Sequence, residues 1–207
     1  MAKAVKKDIL VKYVIDSREK DTSYTKDLVD QRISKDGIKF IEIETKAVKP
    51  NGCKVSTGDI TIEIKAKDDE NAEWIETTFC LELKKKNDIF GSLYTADSRN
   101  RLFAEIDRCK EYGLELYFIC TDDFGDINKI IQKIPKFRNS NVHNTHFENV
   151  MKLQEKLLDS GYQGILTSGS DLAWLIRRLA KYYIKKNKLQ YKCWQDKVSV
   201  IRWMSYK

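Results

Sequence analysis

The sequence predicts an α/β protein with a central mixed sheet flanked by helices, and three observations carry that expectation. Apolar residues alternate along several short segments of the first half, the spacing turns helical after Asp88, and a later apolar run is bounded by helical segments. A strand-rich half followed by alternating helix and strand is the order of a mixed sheet.

The elements follow in chain order. Residues 9–15 (ILVKYVI) read as a first strand that ends at the polar turn DSREK, and 23–36 carries a loose helical pattern through Tyr24, Leu28, Val29 and Ile33. A second strand is expected at 38–44. Pro50, Asn51 and Gly52 are turn signals, after which Ile60, Ile62 and Ile64 alternate next to Gly58 and Asp59, as in one strand of a hairpin. Residues 66–73 (AKDDENAE) are polar enough for the hairpin tip, and WIETTFCLELK is the next strand, ending on Lys84. From Asp88 to about Tyr112 the spacing is helical, with a polar interruption at 96–100 that reads as a loop. ELYFICT at 115–121 is a buried central strand, 126–147 is poorly patterned, and a helix is expected over about 147–159. The short strand QGILTS and a helix of about 15 residues or more starting near Ser170 close the pattern. The aromatic and basic segment YKCWQDKVSVIRWMSYK is a terminal strand pair or an extension.

A chain of 207 residues buries a core without disulfides or metal staples, so one domain over 1–207 is expected. With 42% hydrophobic and 33% charged residues, the composition excludes a disordered chain. No stretch has the length of a membrane span and no signal segment opens the chain, so the expectation is a cytoplasmic protein with no membrane partner. The five cysteines, at 53, 80, 109, 120 and 193, form no CxxC pair, which points to free thiols rather than structural zinc. A net charge of +7 favours a polyanionic partner, because lysine and arginine gain affinity by releasing counterions from phosphates.

Chemistry on a phosphodiester requires a hard divalent cation held by converging carboxylates. Glu82 and Lys84 alternate with Leu81 and Leu83 on one strand, so the carboxylate and the ammonium point to one face. Glu82 would bind the metal, and Lys84 would orient or activate the attacking water or stabilise developing negative charge. Asp59 begins the neighbouring strand of the hairpin and Asp16 closes the first strand, so both are candidates for the same site.

These residues carry a resemblance. Val14-Ile15-Asp16-Ser17-Arg18-Glu19 is similar to V-x-D-x-R-E, Gly58-Asp59-Ile60 to G-D followed by an apolar residue, and Glu82-Leu83-Lys84-Lys85-Lys86-Asn87-Asp88 to E-R-K-x-x-x-D with Leu83 in place of the arginine. In that order the motifs resemble the XPF-type endonucleases, a branch of the restriction-like PD-(D/E)XK nuclease superfamily. Ile89 to Leu93, Arg101-Leu102 and Thr167-Ser168 extend the resemblance over about residues 9–183, leaving 184–207 as an extension. The resemblance implies a restriction-endonuclease-like sheet and a metal-dependent DNA endonuclease using Mg²⁺ or Mn²⁺. Asp59 and Glu82 would be ligands, Asp16 an additional acidic group at the metal, and Lys84 the catalytic lysine, supported by Arg18, Glu19 and Asp88. It further implies branched, flapped or nicked DNA as substrate, in recombination, repair or the replication of a mobile element. The family commonly adds a tandem helix-hairpin-helix module, and only about two dozen residues follow Tyr183 here, so selectivity would come from this domain, a homodimer or a partner subunit. The alternative is a catalytically silent, nuclease-like DNA-binding or scaffold subunit.

Other residues have plainer readings. His143 and His146 are read as part of a solvated loop, not a metal pair. Lys85, Lys86, Arg101, Arg177 and Arg178 are candidate phosphate contacts, equally at home on solvated faces. Trp174, Leu175 and Leu179 read as core or a dimer face rather than base-stacking groups, and Trp194 and Trp203 have no assignment.

Overall fold

A computed structural model describes residues 8–19, 23–29, 37–67, 71–121, 140–168 and 171–187, and only the backbone of 86–87 and 140–147. The described chain is mixed α/β, with seven strands and four α-helices. It divides into two compact units, the described residues of 8–80 with 173–187, and those of 81–172.

In the first unit β1 (Ile9–Ile15), β2 (Ile38–Thr45), β3 (Ile60–Ala66), β4 (Ile75–Glu76) and the start of β5 (Phe79–Lys84) are ordered β2-β1-β3, with β4 and the start of β5 on β3. Strand β1 (Ile9–Ile15) pairs parallel with β2 (Ile38–Thr45) and antiparallel with β3 (Ile60–Ala66), which puts Ile15 opposite Ile60. Strands β4 (Ile75–Glu76) and β5 (Phe79–Lys84) divide the single strand expected from 74 to 84. Thr77 causes the break, because its hydroxyl donates to the Ile62 carbonyl and accepts from Phe79 N, replacing ladder bonds with side-chain ones. The helix expected over 23–36 is, within 23–29, one 3-10 turn at Thr25–Asp27, and the rest of that range lies outside the described residues. Tyr24 and Leu28 are both buried, so one turn already satisfies the apolar spacing that suggested a helix.

Residues Leu172–Lys186 form the last described helix, α4, whose turns from Ala173 onward cover one face of this sheet with Ala173, Ile176, Ala180, Tyr183 and Ile184. Tyr183 packs edge-on against Phe79 and its hydroxyl meets Thr78, while Lys181 sits over the Phe40 ring and Phe40 stacks on Tyr13. On β1, β2 and β3 and just past the end of β2, Lys12 and Lys46 each contact both Glu44 and Glu63 at 2.7 to 3.1 Å, closing a ring of four charges. Each lysine's pKa is raised by its two carboxylates against the opposing effect of burial.

The second unit contains the end of β5, then β6 (Glu115–Cys120) and β7 (Leu166–Thr167), with β6 and β7 parallel. Helices α1 (Lys86–Tyr94), α2 (Ala96–Glu111) and α3 (Ser140–Asp159) pack through Leu93, Leu102, Ile106, Leu153 and Leu157. The polar stretch 96–100 is not a loop. It is the start of α2, where Thr95 caps the helix by accepting from Ser98 N and Asp97 complements the positive helix end. Helix α3 starts seven residues earlier than the apolar spacing indicates, so the backbone of His143 and His146 is helical rather than looped.

The cysteines at 53, 80, 109 and 120 are buried free thiols; Cys193, Lys188, Trp194, Trp203 and the end of the chain lie outside the described residues. Among the described residues no helix is long and apolar enough to cross a membrane.

Candidate active site

The first unit presents Asp16 and Asp59 at the joined ends of β1 and β3. Asp16 N donates to the Asp59 carbonyl at 2.8 Å, which extends the β1 and β3 pairing by one step beyond Ile15 and Ile60. Gly58 precedes Asp59 with φ +76°, a left-handed conformation that costs a side-chain-bearing residue energy, so the glycine of the Gly-Asp motif is a backbone requirement. The Asp16 carboxylate is only 2% exposed and is held on both oxygens. Oδ1 accepts from Arg18 N at 2.8 Å and Arg18 Nε at 2.9 Å, while Oδ2 accepts from Arg18 Nη2 at 2.9 Å and from Ser56 Oγ. The Arg18 fork is the main reason that the carboxyl is held far below the usual carboxylate range, against the opposing effect of burial, with Ser56 assisting. Glu19 N closes the turn onto the Asp16 carbonyl at 2.9 Å. Ser56 is a residue that motif reading missed, its one sequence signal being its place two positions before Gly58.

In the second unit Glu82 is buried and its Oε1 is ion-paired with Lys84 Nζ, as expected for strand residues two apart. Leu83 turns to the opposite face and is buried, so the apolar substitution in the third motif is a packing residue here. The Lys84 carbonyl accepts from Thr121 N at 3.0 Å, fixing the end of β5 beside β6.

Lys84 also lines a groove of about 670 Å³ with Asp88 and Ser92 from α1 and Arg101, Glu105 and Arg108 from α2. Arg101 and Arg108 stand seven residues apart, two helical turns, and so share a face. That spacing is the signal by which Arg108 was legible and was not singled out. Its Nε is buried with no hydrogen-bond partner. Lys85 is exposed at the start of α1, and the Lys86 side chain lies outside the described residues. On α4, Arg178 is exposed whereas Arg177 is half-buried with its charge acting on the buried Tyr13 hydroxyl.

Among the described residues no three His, Cys, Asp or Glu side chains form a metal-binding group. A scan against models of known protein families finds no match, and neither does a search of curated proteins.

Proposed function

We propose that this chain is a metal-dependent DNA endonuclease that hydrolyses phosphodiester bonds in branched, flapped or nicked DNA. One observation carries the reading. The buried Glu82 carboxylate is held against the Lys84 ammonium on one face of β5, and Lys84 continues into a groove that Arg101 and Arg108 make cationic against Asp88 and Glu105.

Mg²⁺ or Mn²⁺ takes hard oxygen ligands, Mg²⁺ often only one or two carboxylates completed by water and phosphate oxygens, and the Glu82 carboxylate is a ligand of that kind. Glu82 would hold the ion, and the resemblance of the motifs assigns Asp59 the role of a further ligand. When bound, the ion would acidify its water and offset charge on the scissile phosphate. Lys84 would donate to the attacking water or to a phosphate oxygen, and Arg101 and Arg108 would bind flanking phosphates in the groove. Asp16, committed to Arg18 and Ser56, is a positioning residue that holds the turn beside Asp59. The DNA partner, and any homodimer or second subunit, belong to this proposal.

The test is cleavage of end-labelled single-stranded, duplex, nicked, flap, fork and four-way-junction DNA with Mg²⁺, Mn²⁺ or EDTA. Cutting that requires metal and falls about a hundredfold or more in each of Asp59→Ala, Glu82→Gln and Lys84→Ala is the expected result. A folded protein that cuts none of these substrates with either metal overturns the stand-alone enzyme.

A further inference from the structure

Helix α4 has an outer face that, among the described residues, belongs neither to the core nor to the candidate active site. Its buried residues define one stripe, and the opposite stripe presents Trp174, Arg178, Tyr182, Lys185 and Lys186 at helical spacing. Trp174 and Tyr182 are 54% and 49% exposed, among the most exposed large hydrophobic side chains described. Arg178 lies between them, one turn from each. No acidic residue occurs from Leu172 to Lys186. We propose that this face binds a single DNA strand, with Trp174 and Tyr182 as stacking platforms and Arg178, Lys185 and Lys186 as phosphate contacts.

The chemistry of the stripe selects this occupant. Paired bases offer a duplex-binding protein their edges, whereas an unpaired base offers a whole ring face, and exposed aromatic rings flanked by cations are what such faces bind. Eight residues of helix separate the two rings by about 12 Å along the axis, several times the ~3.4 Å rise per nucleotide of a stacked strand, so the rings serve different bases. A second copy of the chain fits less well. Isologous packing about a twofold axis at the middle of the stripe brings Arg178 against its own copy with no acid in the helix to offset it. The choice of DNA rests on the function proposed above, while the preference for an unpaired strand rests on the stripe alone.

The experiment is fluorescence anisotropy of a labelled oligothymidylate of about 15 nucleotides with the whole chain in EDTA, against hairpin duplex and oligouridylate competitors. Trp174→Ala and Tyr182→Ala each weaken binding about fivefold to a hundredfold, Trp174→Phe retains most of it, and Arg178→Gln lowers the salt slope by about 0.7. Circular dichroism confirms that each variant is folded. Unchanged affinity in both aromatic variants overturns the inference, as does equal or tighter binding of duplex or RNA. A wild-type dimer that Trp174→Ala dissociates on sedimentation also overturns it, by identifying a second copy as the occupant. Binding without any cutting keeps this inference and sinks the preceding one; cutting with unaltered strand binding in the variants does the reverse.

Discussion

Asp16 and Glu82 are both buried carboxylates with a cation two positions downstream, and the two regions use that pattern differently. At the end of β1 the chain turns, so Arg18 reaches back with its main-chain N–H and its planar fork, and Ser56 closes the remaining side. Within β5 the backbone stays extended, so Lys84 lies along the same face as Glu82 and meets it with one ammonium that also reaches the groove. A bidentate guanidinium holds a carboxylate in fixed geometry, whereas an ammonium on a flexible stem is a point charge that substrate or metal displaces readily. The first arrangement fixes a turn, and the second is the one to which the proposed function assigns the chemistry.

That contrast is broken most directly by substituting the two acids. Asp16→Ala removes the charge-assisted bonds from Arg18 and Ser56, with an expected loss of about 2–3 kcal/mol, seen as a Tm lower by about 5–10 °C in calorimetry. Glu82→Gln, measured beside it without added metal, is expected to change stability by no more than about 1 kcal/mol and, on the proposed function, to abolish cleavage. Equal thermal losses in the two variants would erase the distinction. Next in size is Gly58→Ala, which forces a left-handed backbone on a side-chain-bearing residue; a cost of about 1–2 kcal/mol is expected in urea unfolding.

The smallest effect is in acid. The Asp16 carboxyl is depressed in the folded state, so its contribution is fully present above its unfolded value near 3.9 and is lost as pH falls toward the folded value. Asp16→Asn therefore flattens the acid limb of stability between about pH 5 and pH 2, which urea titrations across that range would register. A limb of unchanged slope would show that Arg18 and Ser56 do not stabilise the ionised form.

Much of the site was legible because strand geometry is local. Alternation alone put Glu82 and Lys84 on one face and Leu83 on the other. Ser56 was not legible, since its role depends on a turn lying 40 residues from Asp16 in sequence. The start of α2 was misread because capping residues are polar for the same hydrogen-bonding reasons as loop residues.

By itself, then, the sequence determined the α/β class, the approximate positions of the main described strands and the shared face of Glu82 and Lys84, all consequences of short-range periodicity. Tertiary structure alone decided that β2 runs parallel to β1, that Asp16 is enclosed by Ser56, and that Trp174 and Tyr182 face outward while Ile176 and Tyr183 face the sheet. Which strand pairs with which, and in which direction, depends on contacts between residues far apart in the chain, and no local pattern encodes it.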